Sequence, residues 1–424
     1  MPDAVSGSLA HCPVGGGRAR GKSRAASFGL DASVLVALLA ASSAPTPLYP
    51  LYQDQWGLSA LAVTVVFSAY ALALLSALLT TGALSDRLGR RPVLAGALGV
   101  QAVAMVLLAS ADGVASLTAA RLLQGAATGV ATSAAGAALL DLEDPRRPGR
   151  SALTNTIAPL VGMAAGVLLS TLLARFAPAP TVTVYALLAA LFAAQAIAVP
   201  FTAETVGRRA GALRSLRPRL GVPPAVRRTL LTTGTAIVAV WALGGFYSSL
   251  GPALVRLVAP HAPQAALGMV FFTLSATAAL TVWVVRRTDP LPTAIGGCLS
   301  VLPAAALTLS GLHGLGLPAV YGGAALAGVA FGAVSQGVLR MLLASLDGRH
   351  RAATLAAYYV LSYLSMSLPA IAAGAATRYY GLGATSHAYA VTAALLAAAA
   401  LAALSVSRRT RSRPHRTPHH QPLP

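Results

Sequence analysis

The chain has 424 residues, of which 10% are charged, whereas a soluble domain usually carries about 25%. With 56% hydrophobic residues and a mean hydropathy of +0.70, it has too much apolar surface for one water-soluble core. These figures exclude a soluble enzyme and a disordered chain. The formal net charge of +20 would suit nucleic acid, but the basic residues lie in short clusters between apolar stretches, as in membrane proteins. We therefore expect a lipid bilayer as partner and no nucleic acid.

Stretches without Asp, Glu, Lys or Arg predict twelve transmembrane helices. A helix that crosses the hydrocarbon core needs about 20 mostly apolar residues. The stretch 290–339 has 50 residues, and it is predicted to break at the Gly- and Pro-containing segment 312–318. The fourth helix begins near Ser116 and contains Arg121. The predicted fold class is an all-α polytopic membrane protein.

The basic residues are divided unequally between the two sets of loops. With the N-terminus inside, the cytoplasmic segments hold 27 of the 31 Lys and Arg, and the opposite loops hold three, Arg175, Arg256 and Arg378. Because cytoplasmic loops are enriched in Lys and Arg, both termini are predicted to be cytoplasmic, with the protein in the plasma membrane.

The longest internal loop divides the chain into two six-helix halves. The predicted units are a disordered cytoplasmic tail (1–27), an N-terminal bundle (28–201), a cytoplasmic linker (202–228), a C-terminal bundle (229–407) and a basic cytoplasmic tail (408–424).

A short repeat relates these two halves. Gly125 and Gly129 in the fourth helix return as Gly328 and Gly332 in the tenth helix, 203 residues later. A Ser-Ser pair shortly before a proline is shared by the first and seventh helices at a similar offset. Parallel repeats with a substrate site between them are one transporter architecture. We therefore predict two pseudo-symmetric bundles.

The loop between the second and third helices contains a motif that is typical of one protein family. Residues 82–91 read Gly-Ala-Leu-Ser-Asp-Arg-Leu-Gly-Arg-Arg. This sequence resembles the major facilitator superfamily signature Gly-x-x-x-Asp-Arg-x-Gly-Arg-[Arg/Lys] at every defining position. Together with the predicted topology, the resemblance covers residues 28–407. It implies a transporter that works by alternating access on a small-molecule substrate, and not an enzyme.

The resemblance also implies a conformational latch. In the family, the motif Asp is thought to face the start of the eleventh helix, and the arginines are thought to meet an acid that ends the fourth helix. Such a latch would hold the outward-open state and break on inward opening. The alternative is that the arginines only anchor the topology. The implied latch residues are Gly82, Ser85, Asp86, Arg87, Gly89, Arg90, Arg91 and Asp141.

Two charged residues lie within predicted helices. A membrane-embedded Arg costs roughly 2.5–3.5 kcal/mol on insertion scales. Arg121-x-x-Gln124-Gly125 resembles the family's fourth-helix motif, which implies that Arg121 faces the cavity, where it would bind an anionic group or favour the ionised form of an acid. The alternative is that Arg121 snorkels to the outer interface. Asp31 near the inner end of the first helix is either a proton site or an interfacial capping residue.

The remaining candidates are polar or aromatic residues in apolar helices, each of which could instead be ordinary packing. The predicted cavity or coupling residues are Asp31, Arg121, Gln124, Asn155, Trp241, Tyr247 and Gln336. The predicted helix-packing residues are Gly125, Gly129, Pro159, Gly162, Gly166, Gly328 and Gly332. The fifth helix retains only Pro159 and Gly162 of the family's antiporter signature, which leaves antiport open. A mainly apolar cavity favours a lipophilic or amphipathic substrate over a sugar.

The motifs of nucleotide hydrolysis, serine hydrolases and zinc proteases do not occur in the sequence. We therefore predict no cofactor and no resident metal, with energy from an ion gradient or from the substrate itself. The first hypothesis is a monomeric exporter of small lipophilic compounds by proton antiport. The alternatives are a uniporter or importer of a small organic anion that uses Arg121, and a membrane sensor of the same fold that transports nothing.

Overall fold

A computed structural model describes residues 16–207, 209–210, 224–344 and 351–411. Within these ranges the regular structure is helical, without strands. The α-helices are α1 (Gly16–Ser43), α2 (Tyr49–Trp56), α3 (Ala60–Thr81), α4 (Ser85–Leu88), α5 (Arg90–Ala109), α6 (Val114–Asp141), α7 (Arg150–Phe176), α8 (Pro180–Ala198), α9 (Pro224–Ser249), α10 (Gly251–Val258), α11 (Gln264–Val284), α12 (Pro290–Ser310), α13 (Gly316–Ala344) and α14 (Arg351–Arg411).

Nine stretches of the described chain are long and apolar enough to cross a membrane. Two of them span 55 and 54 residues, and each is interrupted at a glycine with positive φ, Gly314 (109°) in the first and Gly381 (75°) in the second. The interruption at Gly314 confirms the predicted break between the ninth and tenth helices. The Arg121-bearing α6 adds a further helix of 28 residues. The all-helical membrane fold is therefore confirmed, while the count of twelve crossings stays a prediction.

Helix packing separates the chain into two groups. In the first, α1 packs on α6 and α7, α3 packs on α6, and α5 packs on α6 and α8. In the second, α9 packs on α13 and α14, α12 packs on α13 and α14, and α11 packs on α13. We call these groups the N half and the C half. The main contacts between them are α3 with α14 and α7 with α11.

The predicted unstructured tail differs from the structure over part of its length. The described α1 begins at Gly16, so residues 16–27 are helical. Two contacts hold this extension against the N half: Arg24 donates to the carbonyl oxygen of Asp141, and the Ser27 hydroxyl accepts from the Ala203 amide. Residues 1–15 and 412–424, and most of the predicted linker, lie outside the described ranges.

Both halves contain a broken helix at the same end of the molecule. α1 ends at Ser43, before Pro45 and Pro47, and the chain continues into α2. α9 ends at Ser249, before Gly251 and Pro252, and continues directly into α10. Proline has no backbone N–H and cannot continue the hydrogen-bond pattern of a helix. The two breaks bring the short helices α2 and α10 into contact across the halves.

The glycines of the repeat lie where helices cross. A side chain at Gly125 or Gly129 would collide with the backbone of α3, and one at Gly162 or Gly166 with that of α1. The equivalent glycines of α13, Gly328 and Gly332, meet the backbone of α11 in the same way. Pro159 lies inside α7, one turn before these contacts. The small residues thus permit close approach of helix backbones.

Candidate functional site

An ion pair joins the halves at one end of the molecule. Arg256 of α10 donates from Nη1 and Nη2 to Oδ1 and Oδ2 of Asp54 in α2, at 2.9 and 3.1 Å. Gln264 donates to the carbonyl oxygen of Pro47 at 3.4 Å, and a side chain at Gly268 would collide with Pro47. The halves therefore pack closely at this end, which we call the Asp54 end.

Arg121 is fully buried in the N half, with 0% of its surface exposed. Its Nη1 donates to Gln124 Oε1 at 2.6 Å and to the carbonyl oxygen of Ser42 at 3.3 Å. Its guanidinium carbon lies 4.2 Å from the ring centre of Tyr70 in α3. Full burial among partners of the N half favours an interior position of the guanidinium over snorkelling.

The break in α1 supplies the acceptors around Arg121. Because Pro45 has no N–H, the carbonyl oxygen of Ala41 lacks its helical donor, and Gln124 Nε2 donates to it at 3.0 Å. Carbonyl groups at a helix C-terminus carry partial negative charge, which favours a nearby cation. Arg121 and Gln124 therefore cap the end of α1.

This cap leaves part of the guanidinium unsatisfied. Among the described residues, Nε and Nη2 of Arg121 have no hydrogen-bond partner. A buried charged donor without an acceptor is costly, so these two nitrogens are candidates for contact with an anion, a polar ligand or water.

Five aromatic side chains of the C half gather where the halves meet. Trp241 of α9 lies 5.1 Å from Phe331 of α13, and 6.5 and 5.4 Å from Tyr358 and Tyr363 of α14, measured between ring centres. Tyr359 lies 5.5 Å from Tyr358. We call these five residues the aromatic cluster. Trp241 is one of the predicted cavity residues, and the sequence also indicates Tyr358 and Tyr359 as second-line candidates from a flanking helix.

Tyr70 connects the aromatic cluster to Arg121. Its ring covers the Arg121 guanidinium, and Tyr363 packs against the small apolar group that contains Tyr70. A continuous series of side chains thus runs from Arg121 through Tyr70 and Tyr363 to Trp241. The Tyr70 hydroxyl and the Trp241 indole nitrogen are buried and have no described hydrogen-bond partner.

Tyr247 and Asn155 lie inside their own halves. The Tyr247 hydroxyl bonds to that of Thr308 at 2.6 Å, within the C half. Asn155 Nδ2 donates to the carbonyl oxygen of Gly136 at 3.1 Å, which joins α7 to α6. A polar residue in an apolar helix is compatible with either a cavity or such a helix–helix bond, so its presence alone does not decide between them.

Asp31 and Gln336 are buried, with 4% and 8% of their surfaces exposed. Asp31 lies in α1 toward the end opposite Asp54, and it belongs to no salt bridge of the described residues. Gln336 lies on α13, beyond Phe331 of the aromatic cluster. The structure therefore does not bring Asp31 to the aromatic cluster.

The loop motif forms an ionic network at the opposite end, which we call the Asp141 end. Arg90 Nη1 contacts Asp86 Oδ1 at 2.6 Å, and Arg90 Nε donates to Asp141 Oδ2 at 3.1 Å. Arg90 Nη1 also donates to Ser85 Oγ at 2.7 Å. All these partners belong to the N half. The side chain of Arg351 at the start of α14 is outside the described residues, and with it the implied contact to Asp86.

Glu204 is a residue of this network that sequence reasoning missed. Its carboxylate accepts from the backbone N–H groups of Arg90 and Arg91 at 2.9 and 3.1 Å. A carboxylate at a helix N-terminus is favourable, so Glu204 caps α5. Gly89, with φ of +99°, turns the chain into this cap, and a side chain there would press on Glu204. A single Glu in a linker belongs to no recognisable pattern.

The segment after α8 forms hydrogen bonds with the loop motif and with Asp141. Arg87 Nη1 donates to the carbonyl oxygen of Ala210 at 2.8 Å, and Thr205 Oγ1 donates to Asp141 Oδ2 at 2.7 Å. At the start of the loop, Ser133 of α6 donates to the carbonyl oxygen of Gly82 at 3.1 Å. The loop motif thus ties α3, α5, α6 and the beginning of the linker together.

Comparison with known proteins gives one family and several similar folds. The family model described as Major Facilitator Superfamily matches residues 32–368. No curated protein gives a significant sequence match. A bacterial homologue of the human lysosomal transporter Spinster, solved inward-facing and unoccupied, has a TM-score of 0.73 at 14% identity, with 92% of this chain and 99% of that chain covered.

Two further solved structures are similar. The nucleoside transporter NupG has a TM-score of 0.68 at 12% identity, with 89% of this chain and 98% of that chain covered. The human organic anion transporter MFSD10 (TETRAN) has a TM-score of 0.64 at 19% identity, with 90% and 99% covered. At these identities the likeness concerns the fold.

Proposed function

Because the chain belongs to the Major Facilitator Superfamily and is a membrane transporter, not an enzyme, we propose that it exports small lipophilic compounds by proton antiport. It does so by alternating access, as a monomer in the plasma membrane with both termini in the cytoplasm. The two halves, 28–201 and 229–407, are the units that rock against each other around the aromatic cluster.

One observation carries the substrate class. The middle of the interface between the halves is lined by the aromatic cluster and Tyr70, and the described acids lie elsewhere, at helix ends or, for Asp31, within α1. A sugar needs many hydrogen-bonding groups along its binding site, whereas a lipophilic compound needs apolar and aromatic walls with a few polar groups. This lining supports a lipophilic substrate.

The two ends of the molecule support a direction for the conformational cycle. The positive-inside distribution supports an outside position for the Asp54 end, where the Asp54–Arg256 pair joins the two halves. At the Asp141 end, Asp86 pairs with Arg90 of its own half. This arrangement belongs to a state closed to the outside, and opening outward requires the Asp54–Arg256 pair to break.

Asp31 is the residue that we assign to the proton. It is a carboxyl group buried in α1 without a salt-bridge partner among the described residues. Burying an unpaired carboxylate is costly, so such a group readily takes up a proton. Protonation from one side and release to the other would couple the cycle to a pH gradient.

Everted membrane vesicles test this function. Uptake of a lipophilic fluorescent compound should rise when the vesicle interior is acidified and should stop when the pH gradient is collapsed. Asp31→Asn should abolish the dependence on the gradient, whereas Asp112→Asn, a matched change at an exposed helix end, should not. Uptake by the unmodified protein that does not change with the pH gradient would refute proton antiport.

A second candidate is favoured by the unpaired nitrogens of Arg121. These nitrogens would suit a small organic anion, carried by uniport or import, and the human organic anion transporter MFSD10 shares the fold. Uptake of radiolabelled benzoate into right-side-out vesicles, lost in Arg121→Gln but independent of a pH gradient, would establish this candidate over the first.

A further inference from the structure

We propose that the substrate is a planar aromatic compound that accepts hydrogen bonds and carries no positive charge. This inference rests on the proposed function, because it names the substrate class of the same site between the halves. The ring of the compound lies against the aromatic cluster, and its oxygen acceptors meet the donors near Trp241 and Arg121.

The shape of the ligand follows from the rings. In the aromatic cluster, neighbouring rings have centres 5.1 to 6.5 Å apart, in tilted and edge-to-face arrangements. Aromatic pairs in offset-stacked or edge-to-face arrangements are more favourable than their buried area alone accounts for. A flat ring that enters between Tyr70 of the N half and Tyr363 of the C half as the halves separate would keep such contacts on both of its faces.

The polarity of the ligand follows from the groups left unsatisfied. Arg121 Nε, Arg121 Nη2 and Trp241 Nε1 are buried without a partner among the described residues, and all three can only donate. The Oγ atoms of Ser335 and Ser362 are also unpartnered, and a hydroxyl can donate as well as accept. These two serines and Trp241 lie around the Tyr358 hydroxyl, which can also accept as well as donate. The buried donor-only groups without an acceptor therefore favour a ligand that accepts hydrogen bonds.

The charge of the ligand follows from Arg121. Aromatic faces attract cations, and a cluster of five rings would ordinarily suit a lipophilic cation. Here a buried guanidinium lies 4.2 Å from Tyr70, and the described stretches of α3, α9, α13 and α14 that form the site contain no acidic residue. In a region of low dielectric, the unscreened repulsion by Arg121 acts against a cation. A neutral or anionic compound meets no such penalty.

The three tryptophans of the chain allow a direct binding test. Trp56 stacks on Tyr52 at the Asp54 end, and Trp283 is 52% exposed beside Arg286. Trp56→Phe with Trp283→Phe leaves Trp241 as the one tryptophan in the full-length chain. Coumarins absorb at the wavelength of tryptophan emission, so energy transfer from Trp241 reports a coumarin bound beside it.

Three coumarins of similar size serve as probes: a neutral one, one with a carboxylate and one with a trimethylammonium group. We expect the neutral and carboxylate probes to bind at least about tenfold more tightly than the cationic probe. Arg121→Leu should remove the discrimination against the cation, and Arg121→Lys should keep it. Tyr363→Leu should weaken binding of the neutral probe, whereas Tyr379→Leu, on the same helix but 78% exposed, should not.

The inference is overturned if the cationic probe binds as tightly as the neutral one, or if none of the probes transfers energy from Trp241. Equal effects of Tyr363→Leu and Tyr379→Leu would also overturn it. Each failure remains separate from failure of the proposed function. If vesicles transport another lipophilic compound in a manner that depends on the pH gradient, while the coumarins do not bind, the substrate class is wrong and the proposed transport mechanism still holds.

Discussion

Asp54 and Arg256 are 202 residues apart in the sequence and meet through two hydrogen bonds at the end of the molecule where both broken helices turn. Each belongs to a short helix that follows the break of a longer helix, α2 in one half and α10 in the other. Because the pair bridges the two halves directly, its strength biases the equilibrium between states that are open and closed at this end.

Loss of this pair should favour opening at the Asp54 end. The side chains are 59% and 39% exposed, so the pair contributes about 0.2–1 kcal/mol, as exposed ion pairs do. Asp54→Asn should therefore accelerate modification of a cysteine at Thr171, which is buried beside Gly268, by a membrane-impermeant maleimide about 1.5- to 5-fold. Exchange of the charges, Asp54→Arg with Arg256→Asp, should restore the slow rate. Asp112→Asn is the control, and an equal acceleration there would mean that the effect is not specific.

Gly89 should be required for the turn that leads into α5. Its φ of +99° is unfavourable for other residues, and a side chain would press on Glu204. Gly89→Ala should lower the melting temperature in detergent and reduce transport, because the cap on α5 shifts. Gly96→Ala, on the same helix with open space around it, should leave both unchanged. Equal melting temperatures and transport rates of the two variants would show that the turn does not require glycine at position 89.

Asp86→Asn should slow transport without loss of protein from the membrane. Asp86 is paired with Arg90 in this state, and the family resemblance implies a different contact in the outward-open state. A carboxylate that changes partners between states biases their equilibrium by about 1–3 kcal/mol. Transport rate per molecule, normalised to the amount of folded protein, is the measurement. Asp144→Asn, at an exposed position of the same end, is the matched control; a slow rate in both would point to general loss of charge.

Arg121 should not be replaceable by lysine. Lysine keeps the charge but lacks the planar group that donates to both Gln124 and the end of α1. Arg121→Lys should retain a small part of the transport rate, and Arg121→Ala none. Arg175→Lys, at an exposed helix end, should transport normally. Full activity of Arg121→Lys would show that only the charge is needed.

The sequence predicts local features well. Long apolar stretches predict the membrane helices, Gly and Pro in 312–318 predict the interruption at Gly314, and spacing predicts close helix contacts at Gly125 and Gly129. Each of these depends on residues within one or two helical turns. Charge burial is also a local signal, since Arg121 in an apolar helix must find partners inside the protein or at its surface.

The sequence does not predict the contacts between residues that are far apart along the chain. Asp54 and Arg256 look like ordinary charges at helix ends, and nothing in their neighbourhoods shows that α2 and α10 meet. Glu204 accepts hydrogen bonds from backbone N–H groups. Nearly every residue type has such a group, so the sequence does not identify the partners of Glu204. Tyr363 resembles any tyrosine of a membrane helix until the packing of α14 against α3 places it beside Tyr70.

Alternating access requires the halves to separate at the Asp54 end in every transport cycle, and a reversible cross-link tests this requirement most directly. Asp54→Cys and Arg256→Cys, in a chain with Cys12→Ser and Cys298→Ala, provide one thiol on each side of the interface. A short bifunctional methanethiosulfonate should join the two thiols and stop transport of the lipophilic compound completely. Addition of a reductant should break the cross-link and restore transport. Each single-cysteine chain treated in the same way should transport normally. Undiminished transport by the fully cross-linked protein would contradict alternating access through this end.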